Sequence, residues 1–185
     1  MKIQFHTIDD APEAAKTDLQ NLEKAYGVVP NLFAGLAASP AAVKSYMAIA
    51  GNMKEHGVLN PVEQQVVYIT VSAQNGCDYC VAAHSTGAGK VKMPDDVLAA
   101  LRAQEALPDV KLDALRTFAL AMLDQRGYMS DEDLAAFAKA GYGQAHVLEV
   151  ITIMAHKTMS NYFNHIAKTP LDAMFKLQEW QTTAR

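Results

Sequence analysis

The chain has 185 residues, of which 50% are hydrophobic and 19% charged, and this is the length and composition of one globular domain with a full apolar core. The net charge of −4 and the absence of a basic cluster make nucleic acids and anionic membrane surfaces poor candidates as partners. The sequence has no apolar run of the ~18 residues that a membrane span needs, and its N-terminus does not resemble a signal peptide, so we expect a cytoplasmic protein.

Helical periodicity dominates the chain and no strand-like alternation competes with it, which predicts one all-α domain over residues 1–185. Residues 1–10 are predicted to form an extended arm, with Asp10 as the N-cap of the first helix. In chain order, the predicted helices cover residues 10–26, 32–36, 40–56, 60–74, 77–89, 93–104, 111–126, 130–140 and 145–168, followed by a short C-terminal helix with Met174, Phe175 and Trp180.

The helix that begins at residue 60 has well-defined start signals. Asn60 is a good N-cap, Pro61 occupies the first helical position, and Glu63 completes a capping box. Apolar residues then cover much of the helix surface, so we expect it to be buried on most sides. Glu63 is therefore interpreted as a capping residue, with a catalytic carboxylate as the alternative.

The next helix contains both cysteines of the chain. Cys77, Cys80 and His84 are spaced i, i+3 and i+7, which places them on one helix face, and His84 is one turn from Cys80. A Cys-x-x-Cys pair in a cytoplasmic protein is more often catalytic or metal-binding than structural. We interpret the three residues as a redox-active dithiol with its own base.

Two features compete to activate different sulfurs. The helix N-terminus would stabilise a Cys77 thiolate, whereas His84 would act on Cys80. Alternatively, Cys77, Cys80 and His84 could be three ligands of a zinc ion. Structural zinc sites, however, usually draw ligands from a second knuckle, and this sequence has no second cysteine pair. Tyr79, between the cysteines, is interpreted as a packing residue, with proton donation as the alternative.

The same stretch resembles the alkylhydroperoxidase D (AhpD)/carboxymuconolactone decarboxylase family, in its peroxidase-related branch. The resemblance covers roughly residues 27–170, and its most specific part is Asn-Gly-Cys-x-Tyr-Cys-x3-His from Asn75 to His84. The supporting segments are Val29-Pro30-Asn31-Leu32, Ser39-Pro40, Leu59-Asn60-Pro61-Val62-Glu63, Glu149-Val150 and Asn161-Tyr162-Phe163-Asn164-His165.

The resemblance implies an all-α fold that assembles into homotrimers or homohexamers. It also implies that Cys80 attacks a hydroperoxide, that Cys77 resolves the product, and that His84 belongs to a proton relay. No bound cofactor is implied; the disulfide would be reduced by an external dithiol of the lipoyl or thioredoxin type. The spacing of His84 and the resemblance agree on Cys80, which we therefore predict to be the attacking residue.

Two positions depart from the family pattern. The resemblance implies that a glutamate on the preceding helix takes part in the relay, but that position is Gln65, which cannot act as a base. Tyr79 stands where some members have a second histidine. Gln65 is kept as a candidate that holds a relay water, and Glu63 lies about 200° around the helix from it. We predict a thiol-dependent peroxidase. The alternatives are a general thiol–disulfide oxidoreductase or redox sensor, a decarboxylase of the same superfamily, and a zinc-stabilised assembly module.

Overall fold

The computed structural model describes residues 2–182, and over this range the chain forms nine α-helices, one 3₁₀ helix and no β-strand. The predicted all-α class is confirmed. The helices are α1 Glu13–Tyr26, α2 Asn31–Leu36, α3 Pro40–His56, α4 Pro61–Gln74, α5 Asp78–Lys90, α6 Asp95–Ala103, α7 Val110–Gln125, α8 Asp131–Lys139, α9 Gln144–Ala167 and the 3₁₀ helix Ala173–Gln178.

Two details at the ends of the chain differ from the prediction. Asp10 does not cap α1, because its carboxylate accepts hydrogen bonds from the backbone N–H and the hydroxyl of Thr7, at 2.7 and 3.0 Å. Pro12 takes the N-cap position instead. Trp180 lies beyond the C-terminal helix, where its indole N–H donates to the carbonyl of Arg102 at 2.9 Å.

Helix α4 lies at the centre of the molecule. Its apolar residues, including Val66, Val67 and Ile69, are fully buried, as the sequence predicts. One apolar cluster joins α4 to α6, α7, α8 and α9, and a second joins α1, α2 and α3 to α5. Both cysteines belong to the second cluster, so they lie inside the fold.

The start of α4 is fixed twice. The Asn60 side chain accepts from the N–H groups of Val62 and Glu63, and Glu63 Oε2 accepts from the Asn60 N–H, which confirms the capping box. In addition, the Glu149 carboxylate on α9 accepts from the N–H groups of residues 58 and 59 at 2.6 and 2.8 Å. This contact holds α9 against the start of α4.

Along the part of the chain that the structure describes, no helix is both long and apolar enough to cross a membrane.

Candidate active site

The two cysteines lie at the beginning of α5. Cys77 is the N-cap residue, Cys80 is in the first turn, and both are free thiols with 1% and 2% exposure. The chain reaches this point through Gly76, whose φ of +66° permits the turn between α4 and α5. The two sulfurs share a polar partner on α9, because Asn164 Nδ2 lies 3.7 Å from Cys77 Sγ and 3.2 Å from Cys80 Sγ.

The surroundings of Cys80 favour its thiolate. Burial would raise the pKa of Cys80, but a hydrogen bond from the Cys77 thiol, the positive charge of Lys157 and a hydrogen bond with Ser160 lower the pKa to about 5. Ser160 Oγ lies 3.6 Å from Cys80 Sγ. The pKa of Cys77 is raised well above its usual range by the hydrogen bond to Cys80 and by burial. At neutral pH the pair is therefore a Cys77 thiol donating to a Cys80 thiolate.

His84 is held between two neighbours, and neither of them is a sulfur. Its Nδ1 lies 3.0 Å from Gln65 Oε1, and its Nε2 lies 2.7 Å from Lys157 Nζ. An ammonium group can only donate, so Nε2 accepts and Nδ1 carries the proton that it donates to Gln65. Burial and the charge of Lys157 hold the pKa of His84 well below its usual value. The ring is also stacked on Tyr68, with centroids 4.4 Å apart.

These contacts correct the expectation that His84 reaches the Cys80 thiol as its base. The i, i+4 spacing does place the histidine on the same helix face, but Lys157 occupies the nitrogen that would take the proton. Gln65, the candidate for holding a relay water, contacts His84 directly. The histidine is therefore neutral, and its orientation is fixed from both sides.

Lys157 is the residue that the sequence analysis missed. It lies on α9 with 1% exposure, and its ammonium donates to the hydroxyl of Tyr46 at 3.2 Å as well as to His84. The ammonium also lies 5.7 and 5.1 Å from the ring centroids of Tyr46 and Tyr68, within the range of cation–π attraction. Burial would lower the pKa of Lys157, but Tyr46 and Cys80 raise it, so the residue is a cation.

In the sequence of α9, Lys157 belongs to a pattern of polar residues. Four polar residues interrupt the apolar surface at i, i+3, i+4 and i+7, and all are buried. This polar stripe consists of Lys157, Ser160, Asn161 and Asn164. The spacing puts the four residues on one helix face, and their burial, which the fold shows, makes that face part of a common polar site.

The other predicted residues, Glu63 and Tyr79, form their hydrogen bonds with groups other than the two sulfurs. Glu63 remains at the start of α4, where it accepts from Tyr142 at 3.1 Å and pairs with Lys111 at 3.0 Å. The Tyr79 hydroxyl donates to Asp172 at 2.5 Å, which ties the C-terminal segment to α5. These contacts favour the capping interpretation of Glu63 and the packing interpretation of Tyr79.

The described residues around the dithiol do not form a ready-made set of metal ligands. Both ring nitrogens of His84 are occupied by protein groups, so the histidine does not turn towards the two sulfurs. Within residues 2–182, no group of three or more His, Cys, Asp or Glu side chains is arranged to hold a metal ion.

An open cavity of ≈ 740 Å³ lies beside the dithiol, between the start of α5 and the end of α9. Cys77 is the cysteine on its wall. The other lining residues include Asn75, Tyr79, Asn164, Lys168 and Thr169. The cavity therefore approaches the dithiol from the side of Cys77.

The described helices form an AhpD-like fold, with the Cys-x-x-Cys pair at the start of α5. Residues 40–125, which contain both cysteines, match the model of the carboxymuconolactone decarboxylase family. The predicted resemblance is confirmed. A comparison with curated proteins gives no match.

Solved structures share the fold over nearly the whole chain. The AhpD core of an uncharacterized peroxidase-related protein from Ralstonia eutropha JMP134 is 21% identical, with a TM-score of 0.82 and 96% of each chain covered. A peroxidase-related protein from Silicibacter sp. TM1040 is 17% identical, with a TM-score of 0.78 and 95% of each chain covered. A cysteine-to-alanine variant of the debrominase Bmp8, bound to 2,3,4-tribromopyrrole, is 16% identical, with a TM-score of 0.78 and 96% of this chain and 95% of that chain covered.

Proposed function

We propose that the protein is a thiol-dependent peroxidase that reduces hydroperoxides through a Cys77–Cys80 disulfide cycle. The observation that carries the proposal is the pair of buried free sulfurs with Asn164 Nδ2 at 3.7 Å from Cys77 and 3.2 Å from Cys80. The surroundings lower the pKa of Cys80 and raise that of Cys77, which favours a Cys80 thiolate beside a Cys77 thiol. The thiolate is the form of cysteine that attacks a peroxide, and a neighbouring thiol is what resolves the product.

The cycle has three steps. The Cys80 thiolate attacks the terminal oxygen of ROOH; the O–O bond breaks, Cys80 becomes a sulfenic acid, and the alkoxide leaves as ROH after taking one proton. The Cys77 thiol then attacks the sulfenic sulfur, which forms the disulfide and releases water. An external dithiol reduces this disulfide by exchange and leaves as its own disulfide. Each turnover thus consumes one peroxide and one dithiol and needs no bound cofactor.

General thiol–disulfide exchange is the second candidate. Two observations favour it: Cys77 lies on the wall of the open cavity, and Gln65 provides no base at the position of the family's relay glutamate. An exchanger would use the same two sulfurs, with a disulfide in place of the peroxide as oxidant.

A thiol titration separates the two candidates. Reduced protein is treated with one equivalent of cumene hydroperoxide or of a small disulfide, alongside Cys80→Ser and Cys77→Ser. For a peroxidase, the wild type loses both thiols to peroxide, Cys80→Ser keeps its thiol, and Cys77→Ser stops at a sulfenic acid. If peroxide leaves both thiols intact and the disulfide oxidises them, the exchanger is correct. A parallel incubation with 2,3,4-tribromopyrrole tests the chemistry named for the debrominase neighbour.

We also propose that the protein self-associates through α9. Large apolar residues lie on the side of α9 opposite the polar stripe, at the 100° per residue of an α-helix, and they are 48–70% exposed. These residues are Leu148, Ile151, Tyr162 and Ile166. A second copy of this chain offers the matching apolar face. Sedimentation of Ile166→Glu should show a smaller species than the wild type, whereas Val110→Glu, at a more exposed site on α7, should not. Equal sedimentation of Ile166→Glu and the wild type would contradict the proposal.

A further inference from the structure

We propose that Lys157, and not His84, is the charged partner of the Cys80 thiolate, and that His84 is a positioning residue that holds the Lys157 ammonium in place. The inference concerns the same dithiol as the proposed function and deepens it. Because it predicts a charge state, it can be tested without any peroxide.

The buried Lys157 ammonium needs an anion nearby. Removing an ammonium group from water is costly unless an opposite charge is close to it. Among the residues that the structure describes, no Asp or Glu forms an ion pair with Lys157, and its hydrogen-bond partners, Tyr46 and His84, are neutral acceptors. The anion has to come from another neighbour.

The polar stripe places that anion. Ser160, one turn after Lys157 on α9, lies 3.6 Å from Cys80 Sγ, and His84, which contacts the Lys157 ammonium at 2.7 Å, is one turn after Cys80 on α5. The other groups around the ammonium are Tyr46 from α3, Tyr68 from α4 and His156 from α9 itself. Histidines cannot become anions at ordinary pH, and burial raises the pKa of Tyr46 and Tyr68, the latter to about 12. Cys80 is the remaining group that can carry negative charge at neutral pH.

Gln65 fixes the orientation of His84 relative to Lys157. The neutral amide of Gln65 accepts the Nδ1 proton of His84, which turns the Nε2 lone pair towards Lys157. A glutamate at residue 65 would place a second anion next to this histidine and would compete with Cys80 for the positive charge. The departure from the family pattern at Gln65 is therefore what leaves the whole charge of Lys157 to the sulfur.

The experiment follows the ionisation of Cys80 directly. The rate of Cys80 alkylation by iodoacetamide, with the modified residue located by mass spectrometry, is measured against pH together with the ultraviolet absorbance of the thiolate. The variants are Lys157→Met, His84→Gln and Gln65→Glu, and Lys139→Met on the exposed face of α8 is the control. Circular dichroism shows which variants retain the helical fold.

In the wild type and in Lys139→Met, Cys80 should titrate at a pKa of about 5. Loss of an adjacent opposite charge shifts such a pKa by about 1–3 units, so Lys157→Met should titrate higher and react roughly tenfold more slowly at a pH of about 6. Gln65→Glu should shift in the same direction, which keeps the test decisive if Lys157→Met does not fold. His84→Gln should stay within about one unit of the wild type, because glutamine can still accept from Lys157.

Two results would overturn the inference. One is a His84→Gln shift as large as that of Lys157→Met, or as large as that of Gln65→Glu if Lys157→Met is unfolded. The other is an imidazolium signal from His84 in nuclear magnetic resonance spectra of the reduced wild type at neutral pH. Failure of the peroxidase proposal would look different: the titrations would follow expectation while hydroperoxide left both thiols intact.

Discussion

Asn164→Leu tests the contribution of a single neutral donor to the reactivity of the dithiol. The side chain is buried, its amide nitrogen lies 3.2 Å from Cys80 Sγ, and leucine occupies a similar space without a donor. Removing it leaves the thiolate with the Cys77 thiol, the charge of Lys157, Ser160 and Asn161. The variant should therefore keep a reactive Cys80 that ionises at a higher pH.

The size of the shift follows from hydrogen-bond energies. A hydrogen bond to a charged group contributes about 1.5–3 kcal/mol, and one pKa unit corresponds to about 1.4 kcal/mol. Sulfur accepts more weakly than oxygen, so the lower value applies and the pKa of Cys80 should rise by about one unit from about 5. Because the thiolate is the deprotonated form, the lost reactivity appears at low pH and is recovered as the pH rises.

The assay is the pH profile of Cys80 alkylation. Between the two pKa values, near a pH of about 5.5, Asn164→Leu should react roughly threefold more slowly than the wild type, and above a pH of about 8 the two rates should agree within about twofold. Thr158→Ala, an exposed position on the same helix, is the control and should leave the profile unchanged. An unshifted profile in Asn164→Leu would refute the reasoning, and so would a loss of rate that is equal at every pH.

Three further predictions concern stability. Gly35→Ala should destabilise the fold by about 1–3 kcal/mol, because a Cβ there would lie 2.6 Å or less from ring atoms of Phe163, whereas Gly51→Ala meets nothing within 4 Å and should stabilise α3 by about 0.5–1 kcal/mol in urea unfolding. Glu63→Gln should cost about 1 kcal/mol at neutral pH. The pKa of Glu63 is lowered in the fold although burial opposes this. Its ionisation therefore stabilises the protein above the usual glutamate pKa of about 4.3. The difference in unfolding free energy between Glu63→Gln and the wild type should disappear as the pH falls through the lowered pKa. Arg102→Ala removes donors to Ser85 and to the carbonyls of residues 178 and 179, and should speed limited proteolysis after residue 172 while α9 remains protected; equal cleavage rates would show that these contacts do not hold the segment.

The helices could be predicted because their boundaries are encoded locally. Asn60 and Glu63 form a capping box within four residues, and Ser130 forms another with the residue three positions later. The face shared by Cys77 and Cys80 is a property of one helix turn. Asp10 shows where local reasoning fails, because an aspartate can also close the turn that precedes it, and Thr7 provides that alternative.

The site could be predicted only in part, because its charge comes from a distant segment. His84 and Lys157 are 73 residues apart in sequence and meet through the packing of α9 against α5. The spacing of His84 and Cys80 predicts that the two can touch, but it contains nothing about a competitor for the histidine nitrogen. Lys157 itself is hard to assign from sequence, since most lysines are exposed and only the fold shows that this one is not.

The polar stripe of α9 has a consequence for how chains of this fold are sorted. Its four residues sit on one rigid helix, so the pattern Lys-x2-Ser-Asn-x2-Asn is a second sequence marker, independent of Cys-x2-Cys-x3-His. An insertion of one residue within it would rotate the later positions by about 100° and remove them from the sulfurs together. A chain that has the cysteine marker but leucine in place of Lys157 must ionise its thiol by other means. With Lys157 as the proposed partner of Cys80, the two markers together predict the source of charge at the sulfur, which the cysteines alone do not reveal.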